Sequence, residues 1–143
     1  MVVNDFVDQH VEDRHDLSIE HIAHVLDIKI GINENMNCYI KYEGVDIILL
    51  VRNDPFFMWQ AFCHELGHMV LHATKQSCTH RMFNDYQEGQ ADKFAILLMM
   101  PEKLIRKHRL YDAQKIACYF NVTTEMALKR VDMLIDYTRS PNF

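Results

Sequence analysis

The stretch FCHELGHMVLH, residues 62–72, decides how the rest of the chain is read. It sets His64, His68 and His72 four residues apart, with Glu65 after the first and Gly67 before the second. Outward from it, Phe56, Trp59, Phe62, Cys63, Leu66, Val70 and Ala73 recur in steps of three and four. That spacing predicts a buried helix of about five turns, opened by Asp54 as a cap and Pro55 in the first helical position. Residues four apart on a helix are neighbours, with Cβ atoms about 5–6 Å apart. His64 and His68 can therefore aim one ring nitrogen each at a single ion, with Glu65 facing the side of that ion. This is the H-E-x-x-H arrangement, which joins two zinc ligands and a general base on one rigid element. An interior glycine costs about 0.8–1 kcal/mol relative to alanine. Gly67 thus implies a close approach to the helix, by a packed strand or by substrate. His72 extends the stripe, but it lies about 12 Å from His64 along the axis, beyond the reach of a shared ion. It reads as a C-terminal helix residue favoured by the helix dipole.

A catalytic zinc takes three protein ligands and keeps one position open, so a third ligand must come from elsewhere. Helical periodicity resumes over 86–99, with Ala91, Phe94, Ala95 and Leu98 on one face. Glu88 and Asp92 stand one turn apart there, in EGQAD. One of the two carboxylates can bind the ion while the other holds a ligand histidine by its free N–H. Rival third ligands are His80, Asp85 and Cys78, in what reads as a polar loop over 74–85.

The rest of the chain frames this helix. Residues 2–13 place Val3, Phe6, Val7 and His10 at helical spacing, and Ser18 caps a second helix with Ile19, Ile22, Ala23 and Leu26 on one face. DIKIGI, NCYIKY and DIILLV are short and rich in β-branched or aromatic residues, which predicts two or three antiparallel strands. Beyond Pro101 come a short helix and two more, DAQKIACYF and TTEMALKRVDMLI, with Thr123 as a cap. The expected fold is α+β: a small antiparallel sheet packed on the H-E-x-x-H helix, followed by C-terminal helices. We expect one domain over 1–143, with a core over 1–110 and a helical segment over 111–143. The chain has 143 residues, 49% of them hydrophobic and 24% charged, enough for a real core. The start MVVNDFVDQH lacks a basic and apolar leader, no apolar run is long enough for a membrane span, and none of the four cysteines forms a CxxC pair. These features predict a cytoplasmic protein with reduced thiols and no membrane partner. The net charge of −5 is uneven: residues 101–143 hold eight Lys/Arg and five Asp/Glu, against seven and fifteen in the remainder. The first hundred residues lack the basic stripe of a nucleic-acid binder.

FCHELGHMVLH followed by EGQADKFAILLMMP resembles the ImmA/IrrE family of zinc metallopeptidases. The family pattern is HELGH-x-x-LH and then E-x-x-A-[ND]-x-F-A-x-x-LLMP. The likeness runs over roughly 16–135 and includes the tail IACYFNVTTEMALKRV. It implies a zincin-like, gluzincin-type core with one Zn2+ held by His64, His68 and Glu88, Glu65 as catalytic base, and Asp92 bracing a ligand. Cys63 stands where the family commonly has Ala, and Gln90 where an acidic residue is frequent. Members act on helix-turn-helix transcriptional repressors, many of them encoded by prophages and other mobile elements, and inactivate them. The resemblance thus implies a repressor protein as substrate.

Three functions follow from these readings. The first is a zinc endopeptidase directed at a repressor, with a strand such as DIILLV pairing with an extended substrate segment. The second is a zinc-stabilised module that sequesters the repressor uncut, although retention of Glu65 speaks against it. The third is a DNA-binding regulator using 112–135, with Lys115, Lys129 and Arg130 on phosphates. The few base-reading side chains there count against this, so no direct nucleic-acid contact is expected.

Overall fold

The computed structural model describes residues 2–72 and 81–139. Helix α1 (Val2–His10) is followed by a 3-10 turn at Arg14–Asp16 and helix α2 (Ile19–Leu26). Ser18 caps α2 by accepting the His21 N–H at 3.1 Å, as its place in the sequence predicts. Three strands come next: β1 (Lys29–Asn33), β2 (Cys38–Tyr42) and β3 (Val45–Val51).

The sheet is mixed, which corrects the all-antiparallel expectation. Its order is β1-β3-β2, with β2 antiparallel and β1 parallel to β3. β2 and β3 form a hairpin closed by Glu43 and Gly44, whose φ angles of 51° and 81° give the left-handed pair that strand twist favours in a two-residue turn. β3 is the most apolar strand, and burial of Ile48 and Leu50 is greatest when it has a neighbour on each side. With one edge of β3 taken by the hairpin, β1 occupies the other, and residues 34–37 cross the end of β3. Two strand spacings are about 10 Å, which four residues at about 3.3–3.6 Å each can span. Asparagines hold that crossing in place. Asn33 Oδ1 accepts from the N–H groups of Asn35 and Met36, and Asn37 Oδ1 accepts from Val51 N–H at 2.8 Å.

Helix α3 (Pro55–His72) packs on β3 and β2, and helix α4 (Arg81–Met99) packs on α3. Phe62, Cys63 and Leu66 of α3 and Leu98 of α4 are fully buried between these layers. Val70 departs from the expected apolar face of α3 and is exposed. Helix α4 also begins earlier than periodicity predicts: residues 81–85, read as loop, are already helical. The sequence hides that start because Asn84 and Gln87, which continue the steps of Ala91, Phe94, Ala95 and Leu98 backward, are polar, while Met82 and Phe83 fall off those steps. Among the described residues no helix is long and apolar enough to cross a membrane.

Helix α5 (Glu102–Lys107) precedes helices α6 (Ala113–Phe120) and α7 (Thr124–Arg139). Thr123 caps α7 by accepting the Met126 N–H at 3.2 Å. Ile116 and Ala127 join the core, and Arg130 is buried, its Nε donating to the Met100 carbonyl at 2.8 Å. Arg130 is therefore a structural clamp, unavailable to a phosphate, and the helix-turn-helix reading of this segment loses one of its three cations.

Candidate metal centre

Helix α3 supplies two histidines on one side and the core residues Phe62 and Leu66 on another. What brings α4 against the histidine side is Gly67. A Cβ built there would meet Ala91 Cα at 3.1 Å, Ala91 O at 3.2 Å and Phe94 Cβ at 3.2 Å. The close approach implied by this glycine is thus made by a second helix, neither a strand nor substrate. It sets EGQAD opposite the histidines.

His64 Nδ1 lies 2.7 Å from Asp92 Oδ1. An ionised carboxylate only accepts, so with an ion on Nε2 the ring proton would sit on Nδ1 and be donated to Asp92. That Nε2 is 3.2 Å from His68 Nε2 and 2.7 Å from Glu88 Oε2, while His68 Nε2 is 2.9 Å from Glu88 Oε1. His64, His68 and Glu88 thus present three ligand atoms all within 4.8 Å of one another, the one such cluster among the described residues. Ligands bound tetrahedrally at about 2.0–2.1 Å lie about 3.3 Å apart. The histidine nitrogens already have that separation. The carboxylate sits a few tenths of an ångström closer, as a hydrogen-bonded oxygen would. The residues therefore fit a zinc-sized divalent ion, and two nitrogens and one oxygen are a donor set that leaves a position open. The carboxylate side faces water: the Glu88 and Asp92 side chains are 57% and 70% exposed, against 18% for His64 and 13% for His68.

Glu65 is buried beside the cluster. Burial pushes its pKa above the ordinary carboxylate value; His64 and the Tyr39 backbone N–H oppose the shift, and Glu88 adds to it. Burial likewise lowers the pKa of His68, with Glu88 opposing, which favours the neutral ring a ligand must be. Cys63 is fully buried, and burial pushes its thiol well above the usual range. It behaves as a small hydrophobe, not an exposed redox thiol.

Of the rival ligands, Asp85 is exposed on α4 and stands outside the cluster. Cys78 and His80 lie outside the described residues. The structure adds three groups that sequence reasoning missed. The Tyr39 N–H of β2 reaches Glu65. His72, expected only to favour the helix dipole, is buried, with Nδ1 3.1 Å from His68 Nδ1 and Nε2 2.8 Å from Gln90 Oε1. The four-residue step from His68 to His72 was visible in the sequence. Gln90 was not, because its partner depends on how α3 and α4 meet.

The profile of the Peptidase_M78 family, the IrrE N-terminal-like domain, matches residues 20–132. The chain belongs to that family. The matched span includes the α3 histidines and the α4 carboxylates. The chain is similar to the phage-like element PBSX protein XkdA of Bacillus subtilis (strain 168), with 30% identity over 125 residues, 83% of this chain and 63% of the relative. It is also similar to the uncharacterized protein YqaB of the same organism, with 24% identity over 123 residues, 82% of this chain and 72% of the relative. The chain thus spans under two thirds of the length of XkdA.

Proposed function

We propose that this chain is a zinc-dependent endopeptidase that inactivates a helix-turn-helix repressor of a prophage or other mobile element by cutting it, and that 1–143 works as one peptidase domain in the cytoplasm. The observation that carries this reading is the convergence of His64, His68 and Glu88 with the buried carboxylate of Glu65 beside them. A structural metal would need only the ligands. Membership of a peptidase family and the phage-element relative point the same way.

In this reading His64, His68 and Glu88 hold the ion. A divalent ion in such a set supplies Lewis acidity, lowering the pKa of water and polarising a peptide carbonyl. Glu65 accepts the proton of the attacking water as its oxygen bonds to the carbonyl carbon. The C–N bond then breaks, and Glu65 returns that proton to the leaving nitrogen. The Tyr39 N–H steadies the Glu65 carboxylate through the exchange. Asp92 keeps the His64 ring turned so that Nε2 stays bare. The β3 strand cannot receive an extended substrate, because both of its edges are paired. Of the sheet's two outer strands, β2 is the one that packs with β3 against α3 and whose Tyr39 reaches Glu65. A peptide added there would run past the site.

The test is intact-mass analysis of the repressor encoded beside this gene after co-expression with wild type and with Glu65→Gln. Two fragments with wild type and none with the variant are expected. An intact repressor that co-purifies with both would overturn cleavage in favour of sequestration.

A further inference from the structure

A cavity of about 430 Å3 opens where the 3-10 turn at Arg14–Asp16, the start of α3 and the end of α6 meet. Sites for small molecules have volumes of about 300–1,000 Å3. None of His64, Glu65, His68, Glu88 and Asp92 lines it. Its walls are aromatic on two sides, with Phe56 and Trp59 from α3 and Tyr119 and Phe120 from α6, all half-buried. The charge around it has one sign. The chain carries a net −5, yet among the described residues no Asp or Glu lines the cavity, whereas Arg14 does. We propose that this cavity binds a small planar aromatic carboxylate, with its rings between the α3 and α6 aromatics and its carboxylate on Arg14. The proposal does not rest on the metal centre.

Arg14 is exposed, but its guanidinium is held in place twice. Nη1 donates to the Tyr119 carbonyl at 3.2 Å, in the last turn of α6, where helix carbonyls lack an intrahelical partner. Cζ stands 5.1 Å from the centre of the Tyr119 ring. Among the described residues Arg14 has no carboxylate partner and no other hydrogen bond, so Nε and Nη2 are left to take a carboxylate side-on by two parallel bonds. The first turn of α3 lines the cavity at Pro55 and Phe56, carries no acidic residue, and adds the positive end of that helix's dipole. Aromatic rings pair edge-on or offset with centroids about 4.5–7 Å apart. The walls already pair in this way, Trp59 with Phe62 at 6.1 Å and Tyr119 with Phe120 at 4.8 Å. A flat ring system placed between them meets aromatic surface from both helices.

Trp59 is the one tryptophan of the chain, so its indole N–H gives a single peak in nitrogen-correlated NMR and reports occupancy of the cavity. The probes are naphthoate and its neutral counterpart naphthamide, titrated into the full chain. Naphthoate is expected to shift the Trp59 peak saturably, and naphthamide to bind about 10- to 100-fold more weakly, the worth of hydrogen bonds to a charged group. Arg14→Gln, at an exposed position, should weaken naphthoate by the same factor and leave naphthamide unchanged. Cys118 is exposed and lines the cavity, so Cys118→Phe should block both probes by filling it. No saturable shift of the Trp59 peak at millimolar naphthoate, equal binding of the two probes, or naphthoate binding untouched by either substitution would overturn the proposal.

Discussion

Two glycine-to-alanine changes should separate helix propensity from helix packing. Gly67 and Gly89 both lie within helices, α3 and α4 respectively. An added methyl at either raises helix propensity by about 0.8–1 kcal/mol. At Gly89 a Cβ would meet nothing within 4 Å, so Gly89→Ala should stabilise the protein by roughly that amount. At Gly67 the three nearest atoms would stand at 3.1, 3.2 and 3.2 Å, and they belong to the backbone of Ala91 and the Cβ of Phe94. None is the end of a flexible side chain, so α4 must move away by a few tenths of an ångström. Overpacking of this kind costs about 1–3 kcal/mol, which cancels or exceeds the propensity gain. The expected difference between the two variants is about 1–3 kcal/mol, with Gly67→Ala the less stable. The assay is urea denaturation of the metal-free proteins, with equal slopes required before midpoints are compared. Because α4 carries Glu88 and Asp92, Gly67→Ala should also weaken zinc while Gly89→Ala leaves it unchanged. A Gly67→Ala protein stabilised as much as Gly89→Ala would refute the packing argument.

Other consequences follow from single contacts. Burial brings the pKa of Arg130 down to about 10, with Glu102 opposing; it stays charged at neutral pH and holds the Met100 carbonyl. Arg130→Met should cost about 1–3 kcal/mol in chemical denaturation, because that buried carbonyl loses its donor. Tyr39 donates to Asp46 at 2.7 Å, and burial first, then Asp46, push its phenol up to about 12. Its folded pKa lies above the unfolded value of about 10, so its contribution is complete below about pH 10 and is lost as pH rises through 12. Tyr39→Phe should accordingly flatten the alkaline limb of a stability–pH curve. Zinc affinity should fall sharply in Glu88→Gln and by about 10- to 100-fold in Asp92→Asn, and equal losses would contradict their separate roles.

Much of this architecture is legible in the sequence because it rests on local chemistry. Ser18 and Thr123 cap the helices they precede, Pro55 opens α3, and the three strands stand where the period changes. The positions of the histidines on α3 follow from four-residue spacing alone. What was not legible depends on how elements meet. The parallel pairing of β1 turns on which edge of β3 the hairpin leaves open, and a strand pattern reports burial, not partner. The start of α4 is hidden because Asn84 and Gln87, on the line of its apolar steps, are polar. Gly67 signals a close approach without naming what approaches. His72 and Gln90 stand 18 residues apart, and only the seating of α4 on α3 joins them.

The most direct test of the account is the zinc content of purified wild type, Glu65→Gln and His64→Ala, measured by elemental analysis after exhaustive dialysis. The account predicts one zinc per chain in wild type and in Glu65→Gln, and almost none in His64→Ala. Wild type without stoichiometric zinc, or His64→Ala retaining as much as wild type, would contradict the metal centre on which the proposed chemistry rests.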